Sequence, residues 1–216
     1  MIAALLLASA SVTAQPKTAV DAEIAFARDA KRIGQWTAFR KWADRDAVMF
    51  TPQAVWARTF LKRLKDPPKS ISWRPAQSFV SCDGRTAVNT GPWFTQDSRL
   101  AGYFTTVWQR TTGSWRWVYD GGVPAPAKGV GHTTLRSRVA SCRTAPGAPV
   151  APAPALNATQ ALTTPQDTGR GESADKTLGW AWKVTANGTR TFRVFLWNGR
   201  RYDEVVRAVD PAPAHK

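Results

Sequence analysis

The stretch from Gly102 to Gly122, GYFTTVWQRTTGSWRWVYDGG, constrains the fold of this chain more than any other. An aromatic and β-branched run, a Thr-Thr-Gly-Ser turn and a second aromatic run spell a β-hairpin. A hairpin alone is marginal in water, so this one must close a larger sheet. What precedes it says which kind. In Ala19 to Ile33, apolar residues fall at Ala22, Phe26, Ala30 and Ile33, a single stripe on a helix. Asp21 and Glu23 lie in its first turn, where the helix dipole favours acids. Gln35 to Asp44 places Trp36, Phe39, Trp42 and Ala43 on one face of a second helix. Ala47 to Phe50 reads as a strand stopped by Thr51-Pro52, and Val55 to Leu64 as a third helix ended by Asp66-Pro67-Pro68.

From Ser70 the period changes to that of strands. Ser70 to Ala76 is one, and Gln77 to Cys82 and Arg85 to Thr90 flank the Asp83-Gly84 turn, a strong hairpin signal. Gly91-Pro92 breaks the run before the aromatic hairpin. Helices first and antiparallel strands after make an α+β domain over residues 19–122. Residues 143–175 are Pro/Ala-rich and then polar, which predicts an extended linker without structure of its own. Residues 176–209 turn to β again. Asn187-Gly188 and Asn198-Gly199 separate three alternating runs, a three-stranded meander. About 30 residues cannot build a core alone. With apolar residues on both faces, the meander must dock on the first domain's sheet, pair with a second copy in a homodimer, or extend a sheet edge.

Residues 1–14, MIAALLLASASVTA, resemble a short signal peptide with Val12-Thr13-Ala14 as the cleavage site, though Lys and Arg are absent from its start. No other segment approaches the roughly 20 apolar residues that span a membrane. The expected location is therefore periplasmic or secreted. The pair Cys82 and Cys142 fits such a compartment as a disulfide. With no CxxC and only His132 and His215, neither a Cys/His metal site nor a cofactor is implied. The net charge of +15 is spread along the chain: 17 basic and 9 acidic residues over Lys17 to Gly122, 13 and 6 beyond. Without a basic cluster inside a recognition motif, no specific nucleic-acid partner is implied.

AFARDA on the first helix, WTAFRKWADRDAVMFTP across the second helix and first strand, and GYFTTVWQRTTGSWRWVYD at the end together resemble the nuclear-transport-factor-two-like superfamily, in its SnoaL-like, ketosteroid-isomerase-like bacterial branch. The resemblance covers about residues 19–121. It implies a cone: a curved antiparallel sheet wrapped on N-terminal helices around an apolar pocket. Members include isomerases, dehydratases, cyclases and proteins without known activity. The catalytic set carries over poorly. Where ketosteroid isomerases place a general-base aspartate before a proline, this chain has Thr51, which cannot shuttle a proton near neutral pH. Where they place an oxyanion tyrosine on the first helix, it has Phe26, which has no donor.

The residues left to carry chemistry are Asp120, at the end of the last strand of the domain, and Asn89, beside Gly91-Pro92. A buried Asp120 with a raised pKa would serve as a base; the plainer alternatives are a turn cap for Asp120 and a backbone-satisfying role for Asn89. Helical spacing and strand alternation predict a pocket lined by Trp36, Trp42, Phe50, Trp56, Tyr103 and Trp117. The reading is an exported binding protein for a small apolar molecule. The alternative is a lyase or isomerase of steroid- or polyketide-like substrates with Asp120 as the acid/base group.

Overall fold

The computed structural model of the chain describes residues 15–97, 99–126, 134–143, 147 and 167–212. The leader reading at residues 1–14, both histidines and most of the Pro/Ala-rich linker lie outside the described residues. Three helices come first or nearly so: α1 (Ala19–Ile33), α2 (Gln35–Trp42) and α3 (Ala57–Leu61). Thr18 starts α1 with a reciprocal cap. Its hydroxyl accepts from the Asp21 N–H at 3.1 Å, and the Asp21 carboxylate accepts from the Thr18 N–H at 3.0 Å.

The first sheet has eight strands: β1 (Ala43–Phe50), β2 (Ala54–Trp56), β3 (Ser72–Trp73), β4 (Gln77–Val80), β5 (Thr86–Phe94), β6 (Ala101–Thr111), β7 (Ser114–Ala125) and β8 (Arg136–Val139). Their order is β2-β1-β7-β6-β5-β4-β8, with β3 also on β5. The expected α+β fold is present, with helices packed on one face of this sheet. The sheet is mixed and not purely antiparallel, because β1 runs parallel to β7 and β8 parallel to β4. Pairing shifts two boundaries. β1 begins at Ala43, so the second helix stops at Trp42, and Val48 pairs with Trp56, which draws Ala54–Trp56 into β2 and leaves a third helix of five residues. β5 continues through Gly91-Pro92. Pro92 falls where β4 gives way to β3 on that flank, so its missing N–H breaks no run of ladder bonds.

The second sheet has four antiparallel strands, β9 (Thr168–Glu172), β10 (Leu178–Val184), β11 (Arg190–Trp197) and β12 (Tyr202–Asp210), in the order β12-β11-β10-β9. The meander thus carries one strand more than its three runs predict, and that strand comes from the polar stretch read as linker. Gly169 and Gly171 explain why TGRGE pairs here. They stand opposite Trp182 and Trp180, and a Cβ on either would run into the indole it faces. Two bare backbone positions give two large rings room to lie across the strand.

The second sheet docks on the face of the first sheet that the helices leave free. Val88, Val107 and Tyr119 from the first sheet meet Leu178, Phe192 and Val194 from the second, all essentially buried. The Tyr119 and Phe192 rings stack with centroids 4.1 Å apart. The disulfide Cys82–Cys142, with Cα atoms 5.1 Å apart, closes the seam where the chain leaves β8 for the second sheet. Around it, Ser141 N–H donates to the Trp197 carbonyl at 2.8 Å and Cys82 N–H to the Thr177 hydroxyl at 2.9 Å.

Candidate functional site

Strand alternation divides the central strands between two faces. Val88, Val107 and Tyr119 point to the second sheet, so Asn89, Thr106 and Asp120 point to the helices. Pairing aligns them: Ser78 faces Asn89, Asn89 faces Thr106, and Thr106 faces Asp120, a polar row across β4, β5, β6 and β7. Asn89 and Asp120, singled out in the sequence, are thus two members of one row, with Thr106 between them.

Above the row lies Glu23 of α1, fully buried. Trp73 Nε1 donates to one of its oxygens at 2.9 Å. Trp108 Nε1 donates to the other at 2.6 Å, where the Asn89 side-chain amide also donates at 3.3 Å. All three donors are neutral. Burial dominates and pushes the carboxyl up to about 7; nearby Asp120 adds to the rise, and the three donors only partly offset it. Asp29, on the same helix, shows the contrast. Burial raises it too, yet Lys41 at 2.5 Å, Arg32 at 3.1 Å and the Trp42 indole at 3.0 Å outweigh that and hold it below the usual range. At Asp29 two cationic partners and an indole outweigh burial, whereas at Glu23 three neutral donors do not.

Glu23 is the group that sequence reasoning misses, because its place in the first turn suggests a dipole partner. Its spacing carries the contrary signal. It follows Ala22 and precedes Phe26 by three residues, so it stands on the apolar stripe and turns inward with it.

Asp120 ends the row at a cavity of about 170 Å³. The walls are five aromatic side chains, Trp36, Phe39, Trp73, Trp93 and Phe104, with Met49 and Ile71. Gln35, Asp120 and the backbone of Gly121-Gly122 complete them. Thr106 Oγ1 donates to Asp120 Oδ2 at 3.0 Å; Oδ1 accepts no hydrogen bond among the described residues. Burial pushes Asp120 up to about 6, while Thr106 and Arg190 favour its ionised form. Gln35 spends its side-chain oxygen on the Ile71 N–H at 3.0 Å.

Arg190 comes from the second sheet and stands behind the glycine wall. Its Cζ lies 3.2 Å from where a Cβ on Gly121 would sit, and Nη2 donates to the Gly122 carbonyl at 2.7 Å and to Asp210 at 3.0 Å. Its guanidinium also covers the Phe50 ring, 4.5 Å from the centroid. The second sheet thus backs the glycine wall of the cavity without lining it.

Of the six residues expected to line a pocket, Trp36 is on this cavity. Trp42 and Trp117 are buried in the core beneath the helices. Phe50 packs on the other face with Tyr119 and Trp182, Trp56 is half-buried on β2, and Tyr103 is 43% exposed on the face away from the helices. On β6 the inward set is Phe104, Thr106 and Trp108, one register step from Tyr103, and one step inverts a strand's faces. Of the two positions that the resemblance compares with catalytic groups, Phe26 is core and Thr51 is exposed. Among the described residues, no three His, Cys, Asp or Glu side chains are grouped to share a metal ion, and no helix is long and apolar enough to cross a membrane.

No family profile matches the chain, and no curated protein matches it. Among solved structures, it is similar to a protein from Xanthomonas campestris named as a calcium/calmodulin dependent protein kinase II association domain. That likeness has 14% identity and a TM-score of 0.35 over 56% of this chain and 99% of that one. A protein of the same naming from Exiguobacterium sibiricum 255-15 shows 16% identity and a TM-score of 0.33 over 52% of this chain and 98% of that one. Neither likeness bears on what this chain binds, and the architecture above stands on its own strand order.

Proposed function

We propose that this protein binds a small, largely apolar molecule in the cavity beneath its helices, and that it does so outside the cytoplasm. The carrying observation is the cavity itself: five aromatic walls, one carboxylate with a spare oxygen, and a volume of about 170 Å³. An apolar cavity of roughly 150 Å³ accepts a single benzene ring, so the ligand is ring-sized. The Cys82–Cys142 bond supports an oxidising compartment. Native mass spectrometry of protein purified from its own host should show a retained small molecule. Quenching of cavity tryptophan fluorescence by indole-sized probes should saturate with one site. Ligand-free protein together with unsaturable quenching would end this reading.

A second reading is kept by one observation: Asp120 combines a place on the cavity wall with a pKa pushed up to about 6, which suits an acid/base group near neutral pH. Size limits that reading. Pockets for polycyclic or drug-sized ligands run to roughly 300–1,000 Å³, so a small carbon acid suits this cavity better than a steroid- or polyketide-like substrate. Asp120-dependent exchange of an α-hydrogen in deuterated water, lost in Asp120→Asn, would favour it over simple binding.

A further inference from the structure

We infer that the cavity is a site for a small organic cation, an alkylated ammonium group held by aromatic faces with Asp120 as its counter-ion. This deepens the binding reading and rests on it. Three features carry the inference. First, the walls are Trp36, Trp73 and Trp93 with Phe39 and Phe104. Ring faces carry the negative lobe of the quadrupole, and indoles attract a cation most strongly.

Second, the one charged side chain on the wall is a carboxylate, and it keeps Oδ1 unpartnered among the described residues while Thr106 holds Oδ2 at 3.0 Å. Asp120 is half-buried, so this oxygen is open to the cavity, where a cationic N–H could donate to it or an alkylated ammonium could pair with its charge.

Third, the local charge opposes the global one. The chain carries +15 overall. Among the described residues, the charged groups that interact with Asp120 are Glu23 from α1 and Arg190 from β11. Arg190 is paired with Asp210 at 3.0 Å and bound to the Gly122 carbonyl, so its charge is spent behind the wall. Tyr119 on β7 is buried, and burial keeps its phenol protonated. Gln35, Trp36 and Phe39 from α2, Met49 from β1 and Trp73 from β3 bring no formal charge. Arg190 and Asp210 offset each other behind the wall, which leaves the Asp120 carboxylate as the uncompensated charge on the lining and makes the cavity a cation-attracting spot in a basic protein.

Choline and its neutral carbon isostere 3,3-dimethyl-1-butanol separate charge from shape. Titrated into the full chain at pH 7.5 and followed by tryptophan fluorescence and calorimetry, choline should bind about tenfold or more tighter than the alcohol. Its affinity should fall as the pH drops through about 6, because protonation removes the counter-ion. Asp120→Asn keeps a Thr106 partner and should erase the preference, bringing the two probes to similar affinity. Should that variant not fold, Trp36→Leu, at a half-buried wall position, should lower the ratio of choline to alcohol affinity several-fold. Equal affinity for the two probes, or a preference that survives Asp120→Asn, overturns the cation assignment and leaves the binding reading standing. Binding of neither probe overturns the cation assignment, and if indole also fails to saturate the cavity the binding reading falls with it.

Discussion

The two faces of the eight-stranded sheet are built from alternate residues of the same strands, yet they do opposite things. The face toward the second sheet is closed and apolar. Val88, Val107 and Tyr119 interdigitate with Phe192, Val194 and Leu178, and each is at most 1% exposed. The face toward the helices is incomplete. It carries the row Ser78, Asn89, Thr106 and Asp120, a buried Glu23 and a cavity. Three polar atoms there, Ser78 Oγ, Asn89 Oδ1 and Trp117 Nε1, are buried without a partner among the described residues. Such groups cost about 1–3 kcal/mol each, so the helix face gives up stability that the sandwich face supplies. The contrast separates a face that holds the protein together from one that is available for chemistry.

The harshest test of that division is removal of the second sheet. Truncation before Asp167 uncovers the sandwich face of the first sheet and withdraws Arg190 from behind the cavity. The unfolding midpoint should fall by at least about 10 °C, and a hydrophobic dye should bind. An unchanged melting curve would show that the sheets are stable independently. Phe192→Ala is gentler: it leaves a hole against Tyr119 and should cost about 3–5 kcal/mol in denaturant unfolding. Cavity tryptophan quenching should be unaltered, since the lost ring lies on the other face. If quenching changes as much as stability, the faces are not separable.

Opening the seam should come next. The Cys82–Cys142 bond spans 60 residues, worth about 4 kcal/mol in the chain-entropy account before strain. Thiol titration of denatured, unreduced protein should find no free thiol, and Cys142→Ser should unfold at lower denaturant with the fold intact.

The smallest effect belongs to the helix face and depends on pH. Glu23 titrates at about 7 when folded against 4.5 in the unfolded chain. The folded state therefore keeps a proton that the unfolded state has already released. Stability is full below about 4.5, declines as pH rises, and has lost this contribution above about 7, a drop on the order of 1–3 kcal/mol. Glu23→Gln should make that slope shallower, leaving the part that comes from Asp120, whose carboxyl is raised to about 6, whereas changes on the sandwich face should shift the whole curve without altering its shape. A wild-type profile rising between those pH values would mean that Glu23 is ionised in the fold.

Much of the architecture is legible from local pattern. The α1 stripe and its Thr18 cap, the Asp83-Gly84 and Asn-Gly turns, the aromatic hairpin and the cysteine pair are encoded within a few residues, because 3.6- and 2-residue periods and turn chemistry act locally. So is Glu23's inward position, for a reader who follows the stripe. Which face of a strand meets which layer is a different matter. Alternation names two faces without saying which is inside, and that choice put Tyr103 on the outer surface and Phe104 on the cavity. The row from Ser78 to Asp120 exists only once four strands pair in register, and Arg190, 68 residues on from Gly122, reaches the cavity wall only because the second sheet docks there. The residues of the site were present in the sequence as isolated polar and aromatic positions. Their meeting in one cavity depended on long-range pairing and burial, which no local pattern contains.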